Sequence, residues 1–161
     1  MKKPAAAGLA AVAVCAVLAG TASLPALGQP QQDRAGDDID AHRNYVLHCM
    51  GCHGPNGDGV PGKIPPLKGA LGLFIRSEAG RQFIVRVPGA STSALSDGEL
   101  AAVTNMMLVR FNAKELSPGF VPYTEAEVAR VRRPAFQDVA TVRHGVIEEL
   151  RRQGIPLPFG Y

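Results

Sequence analysis

Cysteine is scarce, with three in 161 residues, too few to staple a small disulfide-rich fold. Charge of one sign is scarce too. The formal net charge is +3, too weak by itself to mark a nucleic-acid-binding chain. Charged residues make up 19% and hydrophobic residues 46%, an ordinary globular balance that excludes a wholly disordered chain. No succession of long apolar runs is present, which excludes a polytopic membrane protein. Internal repeats and convincing strand alternation are missing as well. What remains is a length suited to one domain with an appended segment. Such a chain buries one modest core, to which a large bound cofactor would add.

The single long apolar run is N-terminal. Lys2 and Lys3 precede an uncharged, Ala- and Val-rich stretch from Pro4 to Pro25, and Ala26-Leu27-Gly28 offers small residues where a signal peptidase reads them. This is the layout of a secretory signal peptide over residues 1–28, with cleavage after Gly28 preferred to cleavage after Ala22. A retained membrane anchor is the alternative, because the run is nearly long enough to span. Cys15 follows Val14, where a lipoprotein signal wants a small residue. Loss of Lys2 and Lys3 leaves 15 of the 17 basic residues against 14 acidic ones. The front of the mature chain, 29–60, is acidic and the remainder basic. Two cysteines survive, three positions apart.

The mature chain reads as all-α. Residues 29–37 are polar and expected to be disordered. A helix is predicted from Asp38 to Cys49, with Tyr45, Val46 and Cys49 on one face. Residues 54–72 hold six glycines and four prolines, which predicts a loop wrapped around something. Phe83, Ile84 and Val87 recur at helical spacing within 77–87, and Pro88-Gly89 is a stop. The clearest helix covers 96–111. Ser96 and Glu99 form a capping box, and Leu100, Val103, Met107, Leu108 and Phe111 form an apolar stripe. Thr124 and Glu127 suggest a second capping box, opening a short helix that Pro134 interrupts. Val139, Val142, Val146, Ile147 and Leu150 make a last stripe closed by Gly154, and Ile155 to Tyr161 is extended.

The chemistry lies in Cys49-Met50-Gly51-Cys52-His53. In an exported chain, C-x-x-C-H reads as covalent haem attachment. Two thiols add across the two vinyl groups on one side of a porphyrin, and two intervening residues let both sulfurs reach them. The next residue projects its imidazole toward the iron. A redox disulfide would want a thioredoxin-like alternation of strands and helices, which is absent. Zinc would want a second cysteine pair.

On these residues the chain resembles a class I c-type cytochrome, over about residues 38–112. The resemblance implies a small helical domain wrapped around one covalently attached haem c, with residues 113–161 as a C-terminal helical extension. It implies attachment through Cys49 and Cys52, with His53 as proximal ligand. Pro65-Pro66-Leu67-Lys68-Gly69 matches the family's P-x-L-x-G element, its proline 12 residues after the histidine. The resemblance makes the Pro65 carbonyl the acceptor of the His53 ring N–H, and makes Leu67 a residue packed on the haem.

One departure stands out. The family takes its second axial ligand from a methionine in the loop before the last helix, and Val87 to Ser93 contains none. Met107, on the apolar stripe, is the better candidate, ahead of Met106 on its flank beside Arg110. Packing against the haem edge is the alternative role for Met107. His42, His48 and His144 are weaker candidates: the first two, on or near the motif's own helix, read as surface residues, and His144 sits in the tail. Lys63 and Lys68 suit either steering of an acidic partner or a soluble surface. The arginines of the tail, Arg130, Arg132, Arg133, Arg143, Arg151 and Arg152, suit either binding of a partner subunit or, the preferred reading, the solvated face of helices laid over the core. The function expected is a periplasmic one-electron carrier, or the haem subunit of a periplasmic dehydrogenase, working with a dehydrogenase or oxidase. No enzymatic role and no nucleic-acid partner are expected, and membrane association only with a retained signal segment. The competing reading is a haem enzyme or small-gas-binding protein with an open sixth site.

Overall fold

The computed structural model describes residues 30–155 and 157. Residues 1–28, predicted to be a signal segment and including Cys15, and most of 155–161, predicted to be extended, lie outside the described residues. Within them the chain is helical, without a strand, and one isolated antiparallel bridge joins Val60 and Ile64. No helix among them is long and apolar enough to cross a membrane.

The first helix, α1, runs Pro30–His48 and overturns the expectation of disorder before Asp38. Pro30 begins it, where a missing N–H costs nothing, and the following Gln, Arg and Ala residues are good helix formers. Its buried face is Ala41, Asn44 and Tyr45, whereas Val46 is 37% exposed. The inward row therefore runs 41–45–49 at four-residue spacing. Val46 lies one residue, about 100°, off that row.

After the single turn α2 (Met50–His53) comes the glycine-rich loop, then α3 (Leu71–Phe74) and α4 (Glu78–Arg86). Ser77 caps α4 by accepting from the Gly80 N–H at 3.0 Å. Pro88 does not leave the chain in a loop. It opens a further turn, α5 (Pro88–Ser91), at the position where proline suits a helix. Helix α6 (Asp97–Phe111) carries the capping box in full: Ser96 Oγ accepts from Glu99 N–H, and the Glu99 carboxylate accepts from Ser96 N–H at 2.8 Å.

The core has two parts. In the first, α1 packs against α6, and Tyr45 meets Phe111 edge to face at 5.3 Å between ring centres. The extension joins this core through Tyr123 and through Val128 of α7 (Glu125–Val131). In the second, Val146, Ile147 and Leu150 of α8 (Val139–Arg152) pack on Phe74 and Phe83.

Two expectations for the extension are corrected. Thr124 Oγ1 accepts from Glu127 N–H at 3.2 Å, but the Glu127 carboxylate does not turn back to close the box. It grips Arg81 of α4 through two hydrogen bonds, 2.5 and 2.8 Å long. A bidentate guanidinium outcompetes a single backbone N–H. Arg132 is not on a solvated face, being 1% exposed.

Candidate functional site

Helix α1 delivers Cys49 directly. The Cys49 N–H still bonds to Tyr45 O at 2.9 Å, and one more turn follows, closed by His53 N–H to Cys49 O at 3.0 Å. Gly54, at φ +74°, takes the chain out of the turn, and the Tyr45 hydroxyl donates to its carbonyl at 2.6 Å. Tyr45 thus serves both core and motif: its ring packs on Phe111 and its hydroxyl holds the exit of the C-x-x-C-H segment.

The following loop brings Pro65 back. Leu67 and Lys68 both donate backbone N–H groups to Gly57 O, at 2.8 and 3.0 Å, and Gly59 donates to His53 O at 3.0 Å. Gly59 has φ +69°, and a β-carbon there would lie 2.4 Å from Ile64 O and 2.8 Å from Pro65 O. Only glycine lets the chain pass so close to those carbonyls. The result is a contact of 3.1 Å between His53 Nδ1 and Pro65 O. A carbonyl only accepts, so Nδ1 carries the proton and Nε2 keeps the lone pair. Burial lowers the His53 pKa, and the bond to Pro65 offsets part of that. The ring is therefore held neutral in the tautomer that can ligate a metal through Nε2.

Cys49 is half-buried and Cys52 exposed. Burial, with a smaller contribution from the neighbouring Cys52, pushes the Cys49 thiol up to about 11. Among the described residues, no cluster of three His, Cys, Asp or Glu side chains is arranged to hold a metal ion by itself.

One cavity of about 350 Å³ unites the candidates. Cys49, Cys52 and His53 line it together with Pro65, Leu67 and Met107. Helix α6 contributes Leu100, Val103 and Thr104, and α4 contributes Phe83 and Ile84. The walls are predominantly aliphatic and aromatic, with the two thiols and the His53 imidazole together at one end and the exposed His48 beside them. That donor set fits a haem c: an apolar enclosure for a macrocycle, two sulfurs three residues apart, and one free imidazole nitrogen.

Other candidates fall differently. Met106 is buried at 7%, not held on a flank, and it is absent from the cavity lining. His48, although exposed, lines the cavity at the end of α1. His42 lies 3.2 Å from an Arg110 nitrogen, away from the cavity, and His144 is exposed. Lys63 and Lys68 are exposed, and Lys68 pairs with Asp58 at 3.4 Å. Sequence reasoning missed Thr104, Val139 and Arg143, all of which line the cavity. The stripe containing Val139 showed that α8 buries a face, but nothing in it named the cavity as the surface covered.

No protein-family model matches the chain. Two curated proteins, both called cytochrome c-552, one from Thermus thermophilus and one from a particular strain of that species, are each 32% identical to it over 102 residues. The matches cover 52% of this chain, and 78% and 69% of the respective relatives.

Proposed function

The chain belongs to the class I c-type cytochromes, haem-based electron carriers, and we propose that it is a monohaem one-electron carrier of the periplasm. In this reading Cys49 and Cys52 hold one haem c through thioether bonds, His53 is the first axial ligand and Met107 the second. When bound, the haem supplies reversible one-electron exchange between ferric and ferrous iron. The observation that carries the proposal is the single cavity shared by Cys49, Cys52, His53, Leu67 and Met107.

The protein's own residues prepare that site. The Pro65 carbonyl accepts a hydrogen bond from His53 Nδ1–H and so fixes the ring's orientation and tautomer. Leu67, Leu100 and Val103 exclude water from the cavity walls, which keeps the local dielectric low. Met107 supports the second-ligand role because it is the methionine on the lining, and Met106 is not. The carrier domain occupies 38–112, with 113–161 as the extension. Export through residues 1–28, and a redox partner that is a periplasmic dehydrogenase or oxidase, complete the proposal. Tight association with a dehydrogenase as its haem subunit is the variant of the same chemistry.

The test is expression of the full chain with the haem-attachment machinery. The expected product keeps its haem in acidified acetone, has lost residues 1–28, and gains the mass of one haem. Its ferric spectrum is six-coordinate and low-spin, with the methionine-to-iron charge-transfer band. Haem that extracts freely would overturn covalent attachment. A high-spin spectrum with immediate carbon monoxide uptake would overturn the carrier reading in favour of an open-site haem protein.

A further inference from the structure

Arg132, at the C-terminal end of α7, is the one charged side chain among the described residues that is buried. Its guanidinium serves one short stretch of backbone. It donates to the carbonyls of Ala90 at 3.2 Å, Ser91 at 3.1 Å, Ser93 at 2.8 Å and Leu95 at 2.7 Å. It also reaches Ser93 Oγ and, at the start of α6, Asp97 Oδ1, both at 2.9 Å. Ser91 returns a bond, its hydroxyl donating to the Arg132 carbonyl at 2.5 Å. A planar fork of five N–H donors can hold several carbonyls at once, which an ammonium on a flexible stem cannot.

The stretch so gripped is a wall of the cavity. Ala90, Ser93 and Leu95 line it, and Arg132 itself does not. The same extension adds Val139 and Arg143 of α8 to the lining. Within the segment, the α5 turn is bonded to Val87 and Pro88, and Ser93 bonds back to Ala90. Those bonds shape the turn locally, and the guanidinium behind it ties the turn and Leu95 to the extension.

We infer that Arg132 is a positioning residue of the haem cavity: its grip on residues 90–95 holds that wall closed, so the C-terminal extension governs the access of water and small ligands to the iron. The inference rests on the haem-carrier reading above. Loosening the grip admits water and external ligands faster. It also lowers the midpoint potential, because water stabilises the more positive ferric state.

The experiment uses holoprotein and imidazole as the probe. Wild type, Arg132→Met, Arg132→Lys and, as a control, Arg81→Met are compared. Arg81 ties the extension to α4 through Glu127 but does not line the cavity or touch residues 90–95. The rate of imidazole binding to ferric protein, the midpoint potential and the thermal midpoint are measured for each. Arg132→Met is expected to bind imidazole about tenfold faster, a barrier lowered by about 1.4 kcal/mol, and to have a lower potential. Arg132→Lys is expected to fall between Arg132→Met and wild type. Arg81→Met is expected to lose stability yet bind imidazole at the wild-type rate. An unchanged rate in Arg132→Met, or an equal rise in Arg81→Met, overturns the inference and leaves the carrier reading intact. If Arg132→Met does not fold, Ser91→Ala decides, since it removes only the returned bond: a rise of about threefold supports the inference and a wild-type rate overturns it. Wild type without covalent haem overturns the functional reading itself.

Discussion

Substitution of Met107 separates two roles open to a buried thioether. The side chain is 8% exposed and packs in the core shared by α1 and α6, and it also lines the cavity. Leucine has nearly the same volume, so Met107→Leu costs under about 1.5 kcal/mol of packing. Alanine leaves a cavity and costs about 2–5 kcal/mol. A domain of this size shifts by about 3–4 °C per kcal/mol, which gives a fall below about 6 °C for leucine and about 6–20 °C for alanine. The Asn112 side chain donates to the Met107 backbone carbonyl at 3.1 Å, and neither substitution disturbs that bond. The two variants therefore differ widely in packing yet share one chemical change, the loss of sulfur. If Met107 is the second axial ligand, both lose the low-spin spectrum and the charge-transfer band to the same extent. Met106→Leu, at an equally buried position off the cavity, keeps both features. Optical spectra of ferric and ferrous protein, with and without carbon monoxide, read the outcome beside thermal melts. A Met107→Leu protein with the wild-type spectrum would refute ligation and make Met107 a packing residue.

Other outcomes follow from the same geometry. Cys49→Ser and Cys52→Ser should each leave a single thioether, seen as an altered pyridine haemochrome spectrum, and the double variant should release haem into acidified acetone. Gly59→Ala forces an L-residue into φ +69° against the Ile64 and Pro65 carbonyls. It should cost more than about 1–2 kcal/mol and lower the yield of holoprotein, read from the ratio of haem to protein absorbance. Arg81→Met leaves the half-buried Glu127 carboxylate without its partner and should cost about 1–3 kcal/mol in thermal or denaturant melts, with an unchanged haem spectrum. Burial raises the pKa of Tyr123, whose hydroxyl donates to Arg81 O at 2.7 Å. The folded protein thus holds a proton that an unfolded tyrosine releases near pH 10, so stability present below about pH 10 falls as pH rises above it. Tyr123→Phe should reduce that slope in melts between pH 9 and 11, and Tyr45, also raised by burial, should sustain the remainder. An unaltered slope would place the alkaline sensitivity elsewhere.

Local signals were legible and tertiary ones were not, as particular residues show. The capping box at Ser96 and Glu99 lies within one turn and is present as read. The corresponding pattern at Thr124 and Glu127 is equally local, but Arg81, 46 residues away in sequence, takes the carboxylate. Burial of Arg132 was invisible for the same reason. A run of arginines reads as solvated until the carbonyls of residues 90–95 are known to pass beside one of them. Helical spacing put Met107 on the inward stripe but could not tell which part of that stripe faces a cavity, and it placed Met106 too near the surface.

By itself the sequence determined the helical character of the chain and the segment where the chemistry resides. C-x-x-C-H is five consecutive residues, and the approach of Pro65 to His53 is made by a loop of fixed short length. Glycines in that loop, at Gly57 and Gly59, adopt the positive φ its close passage requires. The tertiary structure alone decided what the extension does to the site. Arg132, Val139 and Arg143 reach the cavity or its wall from beyond residue 113, through contacts about forty residues and more apart. Such contacts arise only when two separately folded faces, each satisfying its own helical pattern, find the same surface to bury.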